Sequence, residues 1–141
     1  MSEYAKIRLR KIRTAVIIII FAALIVCILF AYFKITTGGR NVFKEARNVK
    51  LTINMLDIEY YSKGTTIFEP GKMHGMSEES LNRIRDILDI DGVIDIISYS
   101  NSKKMVTCFT YQTDHYKVTY TYDDNDGDSW DVDYFVNLYD Y

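Results

Sequence analysis

Cysteine, histidine and proline are scarce in this 141-residue chain, with two, two and one respectively. The cysteines, Cys27 and Cys108, fall in an apolar run and in an expected strand. They cannot form an intramolecular disulfide framework, so stability has to come from a packed core, as suits a bacterial envelope that does not rely on disulfides. One proline and seven glycines exclude collagen-like and proline-rich disordered classes. The histidines, His74 and His115, are far apart, and no cysteine pair or HExxH helix accompanies them. A metal site needs three or four ligands at suitable spacing, so none of that kind is expected from them. His115 next to Asp114 resembles part of a base–orienter pair, but no GxSxG or plausible cysteine nucleophile goes with it. No glycine-rich loop follows a strand to cradle phosphate. The expectation is a protein that is not an enzyme and carries no cofactor.

Net charge is also small, −2 from 17 Lys/Arg against 19 Asp/Glu, and mean hydropathy is −0.09. Those averages hide an uneven chain. Residues 1–13 carry Lys6, Arg8, Arg10, Lys11 and Arg13 against Glu3 alone, whereas residues 14–33 carry no charge. At 1.5 Å rise per residue, such a run reaches about 30 Å, the thickness of a hydrocarbon core. Val16, Ile17, Ile18, Ile19, Ile20, Phe21, Leu24, Ile25, Val26, Ile28, Leu29 and Phe30 would face lipid in a transmembrane helix over residues 14–34. A domain of this size cannot cover a helix that is apolar all round. Arg8, Arg10, Lys11 and Arg13 cluster before the span, and the cations after it are sparser, which favours N-in, C-out. Residues 34–141 hold 12 Lys/Arg and 18 Asp/Glu, a balance that argues against nucleic acid as a partner.

Beyond the span, residues 35–40 contain Gly38-Gly39 and read as a short hinge. Val42, Ala46, Val49, Ile53, Leu56 and Tyr60 then recur at 4-3-4-3-4 spacing, one seam of an amphipathic helix over 41–61. Leu51, Met55 and Ile58 form a second stripe beside it, so the apolar face reads as wide. Gly64 suits its C-cap. Pro70-Gly71 marks a turn in the loop over 62–76. Ser77 looks like an N-cap, with Glu78 and Glu79 in the first turn and Met76 and Leu81 at staple positions, and Asp91-Gly92 is the expected end of this second helix.

The period then falls to two. Strands are expected over 93–99, over 103–112 with Met105, Thr107, Phe109 and Tyr111 facing one way, over 115–122, and from Trp130 to about residue 139. Short links make them antiparallel hairpins. The fold class is α+β: a transmembrane helix, an amphipathic helix and a short second helix, with the helices of an extracytoplasmic domain (41–141) packed on a four-stranded antiparallel meander.

Three features invite functional readings. The acidic stretch 123–133 holds six aspartates, and Asp123, Asp124, Asp126 and Asp128 are candidate calcium ligands. With Gly127 sixth in the calcium-loop pattern, however, Tyr122 stands first and Asp133 twelfth, so an acidic hairpin with an Asp-Gly turn leads. Eight of the twelve tyrosines lie from Tyr99 onward, and tyrosine is a preferred sheet residue. Phe135, Tyr139 and Tyr141 fall on the opposite parity and are candidate protein-contact residues. Finally, the order of parts resembles type IV pilins and pseudopilins: a basic leader (RLRKIR), an apolar helix continuing into an amphipathic half, and an antiparallel sheet packed on it. That family's processing site has its nearest counterpart at Ala15-Val16, with Ile20 where the family has glutamate.

The functional expectation is a single-pass, membrane-anchored envelope protein. It would work through contacts with other envelope proteins or copies of itself, with membrane lipid around its anchor. A calcium- or carbohydrate-binding module using the acidic loop is the alternative. The apolar run exceeds a signal-peptide core, so the anchor is expected to stay uncleaved. Intact mass of the membrane-extracted protein should match the full chain, and a mass lacking the residues up to Gly39 would overturn that expectation.

Overall fold

The computed structural model describes residues 2–135. The order of elements is α1 (Glu3–Ser62), α2 (Glu78–Leu88), β1 (Val93–Ser100), β2 (Met105–Gln112), β3 (Tyr116–Asp123) and β4 (Gly127–Tyr134). The fold is α+β with one open antiparallel sheet in the order β1-β2-β3-β4. The chain divides into two compact units, Met1–Gly38 and Gly39–Tyr141.

The first unit is helical, and an 18-residue window of α1 has a mean hydropathy of 3.2 with none of it buried. By length and composition this helix can cross a membrane. Thr14 and Thr36 return their hydroxyls to the carbonyls of Arg10 and Tyr32, at 2.9 and 2.8 Å, so neither polar side chain is left unsatisfied. Residues 35–40, expected as a hinge, are helical throughout. Two glycines weaken a helix by about 1 kcal/mol each relative to alanine, which is not a stop.

In the second unit the predicted seam is the core of the helix layer. Val42, Ala46, Val49, Ile53 and Leu56 are buried, and Tyr60 packs at the margin. The second stripe differs from expectation: Leu51, Met55 and Ile58 are 66, 52 and 72% exposed. The buried face turns the other way and takes in Thr52 and Asp57. The helix closes with a Schellman pair, Thr65 N–H to Tyr60 carbonyl and Gly64 N–H to Tyr61 carbonyl, with Gly64 at φ 81°.

Ser77 caps α2 as its sequence implies, its Oγ accepting from Ser80 N–H, and Met76 and Leu81 are buried together at the staple. The helix stops at Leu88, earlier than Asp91-Gly92, because Asp89 takes the left-handed conformation (φ 51°) that aspartate tolerates.

The four strands pair as a meander, with Ile94, Ile96, Phe109, Tyr111, Val118 and Tyr120 buried in one core with the α1 seam. The strict alternation expected along β2 fails at its start. Pairing shifts register on both sides of Ser98, so Val106, opposite Tyr99, is buried on the core side in place of Met105 and Thr107. A bulge of this kind reverses which side chains face inward. The β3–β4 hairpin is also tighter than expected. Asp123 pairs with Gly127 across residues 124–126, and β4 starts at Gly127 rather than Trp130. Val136, Leu138, Tyr139 and Tyr141 lie outside the described residues.

The contrast between the two stripes of α1 predicts a contrast in stability. Ile53→Ala should cost about 2–5 kcal/mol through a cavity between helix and sheet. Ile58→Ala should stay within about 0.5 kcal/mol. Urea unfolding of the detergent-solubilised chain, followed by the fluorescence of its single tryptophan, Trp130, measures both.

Candidate functional site

The chemistry of the second unit collects where tyrosines of the sheet meet acids. Tyr111 donates to Glu45 Oε2 at 2.7 Å, and Tyr99 donates to Asp57 Oδ2 at 3.1 Å. Tyr120 donates to Asp128 Oδ1 at 2.7 Å, while Lys50 Nζ reaches Asp128 Oδ2 at 2.7 Å and lies 4.3 Å from the Tyr120 ring centroid. Asp57 is buried, and its other oxygen accepts the Ile67 N–H at 3.1 Å. None of these partnerships was foreseen. Asp57 did carry a signal, because it stands four residues after Ile53, on the side of the helix that the seam buries.

These contacts shift titrations. Burial, then the charge of Asp57, pushes the Tyr99 phenol up to about 12. Burial also raises Tyr111 and Tyr120, reinforced by their hydrogen bonds to Glu45 and Asp128. Asp128 is lowered, first by Lys50 and then by Tyr120. At the far end of α1, Glu59 takes two hydrogen bonds from Arg83, at 3.3 and 3.0 Å, and one from Lys63 at 3.0 Å. Those bonds, Arg83's first, hold Glu59 at about 2 and raise Arg83 in return. The pair is solvent-facing, so it positions α2 against α1 more than it stabilises.

The four candidate calcium ligands do not converge. Asp128 is engaged by Lys50 and Tyr120, Asp124 pairs with Lys103, and Asp123 Oδ1 accepts the Asn125 N–H at 2.7 Å within the turn. Among the described residues no group of three His, Cys, Asp or Glu side chains is placed to hold a metal. His115 faces the Tyr134 ring, 6.3 Å between centroids. It is His74 instead that meets a carboxylate, Asp95, with Nδ1 to Oδ1 at 2.7 Å. This pair helps fasten the 62–76 loop to β1, where Ile96 N–H donates to the His74 carbonyl at 2.9 Å. Gly75 sits there at φ 66°, and a Cβ would overlap the Ile96 carbonyl.

Of the candidate contact residues, Phe135 is half-buried and lines an open cleft of about 470 Å³. Glu45, Asp89, Asp91 and Asp114 also line this cleft, and no cation does among the described residues. The cleft brings these acids together around the Tyr111–Glu45 hydrogen bond. The basic residues Arg8, Arg10, Lys11 and Arg13 and the apolar residues of the expected anchor lie in the first unit, along α1. Both cysteines are free thiols.

No family model, no curated protein and no solved structure matches this chain.

The raised phenols give a signed pH prediction. A phenol whose pKa is higher in the folded state holds its proton more tightly there. Its stabilising effect is complete below pH of about 10 and is lost as pH climbs through the folded value. The urea midpoint should therefore fall steadily above pH of about 10. Phenolate absorbance should show a late-ionising set of tyrosines that Tyr99→Phe diminishes. Uniform ionisation near the ordinary phenol value would contradict the geometry.

Proposed function

We propose that this chain is a single-pass membrane protein, N-in and C-out, whose α+β domain works through contacts with other proteins rather than through chemistry, in the manner of a pilin-like or secretion-associated subunit. The anchor part rests on the charge-free run 14–33 and the cations before it. The single observation that carries the contact part is the exposed stripe of Leu51, Met55 and Ile58. These residues follow helical spacing, so they make one contiguous apolar strip. Water-exposed apolar strips on a folded domain mark surfaces that another molecule covers. Tyr61, one turn beyond Ile58, is also exposed and extends the strip towards the helix end.

The test is a photo-activatable residue in place of Met55, with a second at the exposed Asn82 of α2 as reference. Irradiated intact membranes should yield discrete protein adducts from position 55 and few from position 82. Adducts to lipid alone, or equal smears from both, would overturn the reading.

A further inference from the structure

The two edges of the sheet are treated differently. At β1 the 62–76 loop lies against the strand, with Ile96 N–H bonded to the His74 carbonyl and Gly75 closing on the Ile96 carbonyl. Nothing comparable covers β4 among the described residues. The register identifies which groups are free there. Phe135 N–H donates to the His115 carbonyl at 2.9 Å, and pairing runs from Tyr116 with Tyr134 to Asp123 with Gly127. Hydrogen-bonded and non-bonded pairs alternate along an antiparallel ladder. Residues 127, 129, 131 and 133 therefore bond to β3, while the backbone N–H and C=O groups of Trp130, Val132 and Tyr134 point outward.

Side chains along this open edge are sorted by face. Val132 and Tyr134 stand on the core side yet remain 40 and 45% exposed, and no further strand covers them among the described residues. Ser129, Asp131 and Asp133 occupy the opposite side, where Asp133 lies across from Lys117 and Asp131 across from Thr119. We infer that the β4 edge accepts an extended segment of another polypeptide as a fifth strand, one that alternates apolar residues over Val132 and Tyr134 with Lys or Arg beside Asp131 and Asp133. Backbone pairing supplies the adhesion of such a strand, and its alternating side chains supply the selection. A second copy's β4 does not fit, since it would place aspartates beside aspartates. On a second copy's β1, the Ile96 N–H is already taken by the His74 carbonyl and Gly75 lies against the Ile96 carbonyl.

This inference rests on the reading of the domain as a protein-contact module and names one partner chemistry for it. The probe is a synthetic peptide of alternating Lys and Val, as long as β4, titrated into the full chain in zwitterionic micelles. Trp130 fluorescence and amide hydrogen exchange follow binding. Binding should be saturable, and exchange should slow at Val132 and Tyr134 but not at Asp131 and Asp133, whose N–H groups already bond to β3. Val132→Pro removes one outward N–H without touching the β3 ladder, and should weaken binding about tenfold or more. Asp131→Asn with Asp133→Asn should do the same, and decides the matter alone if the proline variant fails to fold. No saturable binding would overturn the inference. So would equal binding of a Glu–Val peptide, or slowed exchange spread over the domain rather than confined to the outward amides. Adducts from position 55 alongside any of these failures would remove the β4 site and leave the protein-contact reading standing.

Discussion

A buried phenol must find an acceptor, and much of the second unit follows from where its tyrosines find theirs. Tyr99 and Tyr111 come from the two strands β1 and β2, and both reach acids on α1, Asp57 and Glu45. Those acids are twelve residues apart, about 18 Å along a helix. Two bonds at that separation set the helix along its axis and resist its rotation, which apolar packing alone does less sharply. Hydrogen bonds to charged groups contribute about 1.5–3 kcal/mol each, and leaving Asp57 buried without partners would cost more than either bond contributes. Tyr120 works differently. Its acid, Asp128, is on the neighbouring strand, and Lys50 from α1 completes the link between helix and sheet. With both cysteines free, this polar stitching and the apolar seam together replace any covalent tie.

What was legible in the sequence was what depends on near neighbours. The α1 seam, the Ser77 cap, the Gly64 terminus and the strands were all readable because helical and extended periods are local properties. What was illegible depends on contacts far apart in the chain. The bulge at Ser98 reverses the facing of Val106, and nothing in the alternation of 103–112 announces it. The choice between two apolar stripes on α1 is similar. Leu51, Met55 and Ile58 are as hydrophobic as the seam, but the seam includes the small Ala46, where the helix packs with no exposure at all. The bulkier stripe is left outside. Glu45 and Asp57 read as solvated charges until the tyrosines that face them are placed.

The acidic hairpin shows how a composition signal is reinterpreted by geometry. Six aspartates within 123–133 suggest an oxygen-rich cation loop when the chain is taken as a line. Folding spreads them over both faces of a strand and one turn. Asp128 turns inward to Lys50 and Tyr120, Asp124 meets Lys103, and Asp131 and Asp133 face outward from β4. The loop shrinks to residues 124–126, because Gly127 adopts φ 75° and the ladder resumes there. Three residues followed by a left-handed glycine make a short hairpin loop, too short to wrap a cation.

That redistribution gives the aspartates of β4 two compatible physical consequences. An open edge invites pairing with any extended chain, and the usual guards are charges, bulges or a covering segment. Here β1 is guarded by a covering loop and β4 by charge. A cover excludes every partner alike, but charge does not. Asp131 and Asp133 repel a second β4 and attract a basic strand, so the same two side chains that suppress self-association grade the partners that remain. Charge guards also depend on salt, since exposed charges are screened over about 8 Å at physiological ionic strength. A cover has no such dependence. The pairing of the open β4 edge is thus set by its surroundings, while the phenols of Tyr99, Tyr111 and Tyr120 tie the sheet to α1.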